Sequence, residues 1–143
     1  MVQRQEENTE ITREMESNKG LVDRAKEMLT FAYAPYSKFR VGAALLGKSG
    51  KIYTGCNIEN SSYGACLCAE RTAIAKGVSQ GETEFSKIAV VSSEGGFTYP
   101  CGICRQVLWE FMPDGIVIVE DSKQGIIVEQ VKALLPNGFS LLS

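Results

Sequence analysis

Lys87-Ile88-Ala89-Val90-Val91, then Tyr99-Pro100-Cys101-Gly102-Ile103-Cys104-Arg105, then Ile116-Val117-Ile118-Val119 is the stretch on which the fold turns. The outer runs are short, mostly apolar and β-branched, as strands buried on both faces are. Between them, after the Gly95-Gly96 loop, Ile103, Val107, Leu108 and Phe111 recur at helical spacing. They predict a helix that begins near Cys101 with those residues as its buried stripe and Trp109 at the margin. Pro113-Asp114-Gly115 ends it. Strand, helix and strand in that order imply a parallel pair joined by a right-handed crossover.

Upstream, Val41 to Leu46 and Lys51 to Cys56 flank the turn Gly47-Lys48-Ser49-Gly50, which predicts an antiparallel hairpin. Leu21, Val22, Ala25, Met28, Leu29 and Ala32 mark an amphipathic helix stopped by Pro35. Glu70 to Val78 is alanine-rich and helical. Downstream, Gly125 to Val128 adds an edge strand, followed by a short helix to Leu135. The expectation is an α/β fold: a single three-layer domain with a mixed five-stranded sheet and helices on both faces. Residues 20–143 form the domain. Residues 1–19, polar and charged, form an N-terminal extension for which disorder is the expectation, with continuation of the first helix as the alternative.

The chain has 143 residues, enough for one real core. Lys and Arg number 15 and Asp and Glu 17, a net charge of −2, and the basic residues are scattered. That distribution is not the footprint of a nucleic-acid binder, so the expected ligand is small and not strongly anionic. No apolar run approaches membrane-spanning length, and the charged start is unlike a secretory leader, so a cytoplasmic setting is expected. Five cysteines suit metal binding in a reducing compartment better than a disulfide framework. Histidine is absent, which removes Ser–His and Cys–His nucleophilic schemes and leaves acid–base work to Glu, Asp, Lys, Tyr or a metal-activated water.

Chemistry concentrates in Ala65-Cys66-Leu67-Cys68-Ala69-Glu70-Arg71 and the Pro100-Cys101-Gly102-Ile103-Cys104 segment. Both fall where a helix begins, and the free amides and partial positive charge there favour the metal-binding thiolate. Cys68, Cys101 and Cys104 supply three thiolates, with Glu70 close by and not an obvious ligand. Structural zinc sites are closed by four protein ligands, whereas catalytic sites keep three and leave room for water. Zinc suits a sulfur-rich site best, though iron stays open at this level. Three thiolates overcompensate a divalent ion. Arg71 and Arg105, each directly after a site residue, are candidates to donate hydrogen bonds to sulfur; the alternative is two surface arginines.

A ligand, one residue, a glutamate, and later Pro-Cys-x-x-Cys is the pattern of zinc-dependent base deaminases. Tyr33-Ala34-Pro35-Tyr36-Ser37-Lys38-Phe39, Val41-Gly42-Ala43-Ala44, Gly55-Cys56-Asn57-Ile58-Glu59-Asn60 and Cys68-Ala69-Glu70-Arg71-Thr72-Ala73 resemble the small, homotetrameric, all-cysteine cytidine deaminases from about Leu21 to the C-terminus. The resemblance implies hydrolysis of cytidine and 2′-deoxycytidine, in pyrimidine salvage, to uridine counterparts and ammonia. It implies one Zn2+ per chain on Cys68, Cys101 and Cys104, water attacking C4 of the base, and Glu70 shuttling the proton. It also implies that Asn57 and Glu59 bind the ribose hydroxyls, Phe39 packs on the base and the backbone at Ala69 reads the pyrimidine edge. Phe139 resembles an aromatic that reaches a neighbouring subunit's pocket; packing on its own domain is the alternative. Glu59 suits a neutral sugar and would repel phosphate there, which favours a nucleoside over a nucleotide.

Three rivals use the same residues. Cys66 with Cys68, Cys101 and Cys104 would close a four-thiolate structural site, but this leaves Glu70 idle. A redox role for Cys101 and Cys104 ignores Cys68. The same chemistry on a nucleic-acid base or a nucleoside antibiotic stays open. Otherwise Cys56 and Cys66 are read as buried small hydrophobes.

Overall fold

The computed structural model describes residues 2–142, with side chains from Arg13 onward. Its centre is a five-stranded sheet in the order β2-β1-β3-β4-β5. The strands are β1 (Val41–Gly47), β2 (Ile52–Cys56), β3 (Phe85–Ser92), β4 (Ile116–Asp121) and β5 (Gly125–Gln130). β3 and β4 are the parallel pair, in register from Lys87 opposite Ile116 to Val90 opposite Val119. Every other pairing is antiparallel, so the sheet is mixed.

Alternation along the central strands separates two apolar layers. Ala43, Leu45, Ile88, Val90, Val117 and Val119 face one way, where they meet α2 (Ala69–Ser79), α3 (Gly102–Phe111) and α4 (Val131–Leu134). Ala44, Ala89, Val91 and Ile118 face the other and receive Leu21, Val22 and Ala25 of α1 (Val2–Glu27). Helices therefore cover both faces, and the small residues Ala44 and Ala89 let α1 lie close. A 3-10 turn, Met28–Phe31, carries α1 into the loop at Pro35.

Of residues 1–19, those with described side chains follow the alternative expectation, continuation of the first helix. Residues 13–19 are helical and tied down: Asn18 is buried, its Oδ1 accepts a hydrogen bond from Lys87 Nζ at 2.9 Å, and Glu14 pairs with the same ammonium at 3.5 Å. Lys87 of β3 points out of the sheet on the α1 side, and satisfying its charge draws in the helix. Position 1 and the side chains of 2–12 lie outside the described residues. Ile103 needs correction. It is 63% exposed, and the buried residues of α3 are Cys104 and Leu108, with Val107, Trp109 and Phe111 packed at the core's edge. The true stripe begins one residue later than expected because Cys104 faces inward.

Val41 opposite Ser92 and Gly42 opposite Cys56 place the start of β1 and the ends of β2 and β3 on one edge of the sheet. The loops leaving that edge carry the chemistry. Among the described residues no helix is long and apolar enough to cross a membrane.

Candidate metal centre and pocket

Cys68 is the N-cap of α2 and Cys101 the N-cap of α3, and their carbonyls accept the first helical bonds, from Thr72 and Arg105. Neither side chain caps its own helix, which leaves both sulfurs free to turn toward each other. The Sγ atoms of Cys68 and Cys101 are 3.6 Å apart, and with Cys104 all three lie within 4.8 Å of one another. A tetrahedral zinc with Zn–S near 2.3 Å sets its sulfurs about 3.8 Å apart. Arg71 Nη2 donates to the Cys66 carbonyl at 3.2 Å and to Cys68 Sγ at 3.8 Å, while its Nε is buried without a partner. A part-buried guanidinium beside these thiols fits a centre that carries excess negative charge. The donor set fits one zinc ion per chain.

The thiols share protons unequally. The Cys68 thiol is lowered to about 5, first because the Cys104 thiol donates to it and then through Arg71 and Cys101. Cys104, wholly buried, is pushed up by the same bond. Glu70 is 4% exposed, and burial pushes its carboxyl up to about 7. Its own amide, Cys104 and Arg71 oppose that rise, while the Cys68 thiolate adds to it.

These groups open into a cavity of about 460 Å³ lined by Phe39, Asn57, Glu59, Cys68, Ala69, Glu70, Arg71 and Cys101. That volume is in the range of small-molecule sites. Lengths of chain far apart in sequence are zipped together to form it. Ile58 and Leu67 exchange backbone bonds at 2.9 Å, while Tyr33 N–H donates to Asn57 O and Glu59 N–H to Tyr33 O. The segment bearing Asn57 and Glu59 is thus fastened to the residue before Cys68 on one side and to the Phe39 loop on the other.

The zinc-binding region of the cytidine and deoxycytidylate deaminases, as a family profile, matches residues 15–120. The chain belongs to this family. A cytidine deaminase of Sporosarcina psychrophila is 49% identical over 121 residues, 84% of this chain and 89% of that protein. One of Halalkalibacterium halodurans is 46% identical over 121 residues, covering 84% and 92%. The crystal structure of the Burkholderia pseudomallei cytidine deaminase superposes with a TM-score of 0.80 at 44% identity, covering 85% of this chain and 98% of that one. The mixed sheet with flanking helices is the cytidine deaminase fold.

Two residues singled out from the sequence lie elsewhere. Arg105 donates through Nε to the Pro100 carbonyl at 2.7 Å and through Nη1 to the Leu134 carbonyl at 2.9 Å. It braces the turn before Cys101 against α4, and the expected bond to sulfur is replaced by bonds to backbone oxygen. Phe139 is 65% exposed, is not among the residues lining this cavity, and its carbonyl accepts from Gln106 Nε2 at 3.1 Å. Cys66, expected to be buried, is half-buried on the cavity wall, where its sulfur accepts the Asn60 amide at 3.3 Å. Sequence reasoning missed Tyr63, Leu67, Tyr99 and Ile103, which line the same cavity and are each at least 39% exposed. Their signal was adjacency to the two motifs, weak because exposed apolar residues beside a loop are common.

Proposed function

We propose that this chain hydrolyses cytidine and 2′-deoxycytidine to uridine and 2′-deoxyuridine, releasing ammonia, in pyrimidine salvage. The observation that carries the reading is Glu70: a buried carboxyl that holds or yields a proton near neutrality, two residues from Cys68 and open to the cavity. Zinc on Cys68, Cys101 and Cys104 supplies the Lewis acidity that brings the pKa of water down to about 7. Glu70 does the proton work. It takes one proton from the water adding to C4 and gives it to N3, then takes the second from the new C4 hydroxyl and passes it to the exocyclic amine, which leaves as ammonia as C4 becomes a carbonyl. One water enters, one ammonia leaves, and Glu70 ends as it began.

The sugar side is read from acceptors. The Glu59 carboxyl is held below the usual range, first by the Ser37 hydroxyl, so it stays an anionic acceptor that suits hydroxyls and disfavours phosphate. Asn57 joins it, Phe39 packs on the base, and Ala69 at the head of α2 offers backbone to the pyrimidine edge. Arg71 offsets thiolate charge. Residues 20–143 act as the catalytic domain, with 1–19 as an extension.

The rim residues Tyr63, Leu67, Tyr99 and Ile103, with the exposed tail of Phe139, Leu141 and Leu142, support a homotetramer in which Phe139 reaches a neighbour's cavity. Five unpaired cysteines support a cytoplasmic setting.

The test follows uridine formation from cytidine by purified protein beside Glu70→Ala of equal zinc content. Turnover by the wild type and its loss in the variant with zinc retained is the expected result. Zinc-loaded wild-type protein that leaves cytidine unchanged overturns the assignment, and a nucleoside antibiotic with the same amine becomes the substrate to try.

A further inference from the structure

Phe39 is 37% exposed, so packing alone does little to hold the ring that forms one wall of the cavity. Its backbone is fixed by polar groups instead. Asn57 Nδ2 donates to the Phe39 carbonyl at 2.8 Å, and Asn57 Oδ1 accepts the Val41 amide at 2.8 Å. The Phe39 amide donates to Ser37 Oγ at 3.0 Å. The same hydroxyl donates to Glu59 Oε2 at 2.5 Å, while Glu59 Oε1 accepts the amides of Tyr36 at 2.9 Å and Ser37 at 3.2 Å. Between Ser37 and Phe39, Lys38 sits at φ 62°, a left-handed conformation uncommon for a residue with a Cβ. The surroundings must hold it there.

Among the described residues, Ser37 is the side chain that bonds both to the Glu59 carboxylate and to the backbone of Phe39. One hydroxyl serves as donor to the first and acceptor from the second, so the two cannot move independently while it is present. We propose that Ser37 is a positioning residue that sets the spacing between the sugar acceptor Glu59 and the base wall Phe39, and thereby the enzyme's preference for a hydroxylated nucleoside. This rests on the nucleoside reading above. The depressed Glu59 carboxyl agrees with it, since Ser37 is the largest cause of that depression.

The test compares the zinc-loaded wild type with Ser37→Ala and Ser37→Thr. In the ligand-free proteins, NMR follows hydrogen exchange of the Phe39 amide and titration of the Glu59 carboxyl. Ser37→Ala should speed that exchange roughly tenfold, the size of one lost hydrogen bond, and move the Glu59 titration upward; Ser37→Thr should keep both near wild type. In kinetics, Ser37→Ala should raise KM for cytidine about tenfold and leave kcat within about threefold. KM for 2′,3′-dideoxycytidine, which offers Glu59 no hydroxyl, should rise less. Unchanged exchange and titration overturn the proposal. So does faster exchange with an unchanged cytidine KM, or a fall in kcat equal for both nucleosides, which would mark Ser37 as a loop brace and nothing more. If the wild type does not convert cytidine, the nucleoside reading fails, and exchange and titration still decide whether Ser37 links Phe39 to Glu59.

Discussion

Gly55→Ala and Gly42→Ala place the same extra methyl on opposite faces of the hairpin, and they should break different things. Gly55 lies in β2 directly under the first turns of α2. A Cβ there would sit 2.6 Å from the Ala73 amide nitrogen and 3.1 Å from Thr72 Cβ, and closer still to the Ala69 carbonyl oxygen. Contact between such atoms belongs near 3.5 Å, so α2 must back away by roughly 1 Å. Two of these three neighbours are backbone atoms, which cannot rotate aside. Because Ala69 stands between Cys68 and Glu70, that shift moves the proposed metal ligand and the proposed proton carrier together. Gly42 lies in β1 on the other face, under the Ala25 carbonyl of α1, with Met28 Cβ 3.3 Å away. Its clash pushes on a helix that carries no site residue. Each substitution should cost about 1–3 kcal/mol of stability, the usual toll of overpacking. Only Gly55→Ala should also lose activity per folded molecule, by roughly 100-fold for a displacement near 1 Å. Urea unfolding gives the first quantity; zinc content and kcat/KM for cytidine, normalised to folded protein, give the second. Equal losses of specific activity in the two variants, or full activity in Gly55→Ala, would refute the coupling of α2 position to catalysis.

Removing Cys66 by Cys66→Ala should leave about one zinc per chain, because its sulfur bonds the Asn60 amide and stands apart from the cluster, whereas Cys104→Ser should release the metal; metal analysis after dialysis decides, and zinc loss in Cys66→Ala would restore the four-thiolate reading. In metal-free protein, Glu70 should make stability fall as pH rises. Its folded value of about 7 lies above the ordinary 4.5, so the native state holds the extra proton between the two and the contribution is lost as pH climbs through that window. The difference amounts to about 3 kcal/mol at most. Unfolding of wild type and Glu70→Gln from pH 4 to pH 8, compared pairwise, should show wild type losing ground to the variant, and parallel curves would sink the buried-carboxyl account.

What could be read from the chain divides along physical lines. The unbroken apolar runs Ala43 to Leu45, Ile88 to Val91 and Val117 to Val119 are a local and strong signal, so the strands and both covered faces were legible. The clustering of Cys68, Cys101 and Cys104 was legible because metal chemistry demands residue types at fixed spacing. Ile103 was misread because apolar character at helical spacing does not distinguish a core from a cavity rim. Arg105 and Lys87 turn on which oxygen a long side chain reaches, and that depends on α4 and α1, which arrive from distant sequence. The zipper through Tyr33, Ile58 and Leu67 consists of isolated backbone bridges and has no side-chain signature.

The site also reverses an ordinary order of acidity. A thiol normally titrates far above a carboxyl, with values of 9.0 and 4.5, yet here Cys68 falls to about 5 and Glu70 rises to about 7. Both changes come from one short segment. Cys68 stands at the N-terminus of α2 with Arg71 and the other thiols beside it, which favours the anion a metal needs. Glu70, one helical step further in, is buried, and the Cys68 thiolate adds to the rise that keeps its proton on. A carboxylate ligand needs its proton gone, while a proton carrier must gain and lose one at the working pH. Environments that push two neighbouring groups apart in this way suit them to different tasks, which supports the proposal that within Cys68-Ala69-Glu70 the sulfur serves as ligand and the carboxyl as proton carrier.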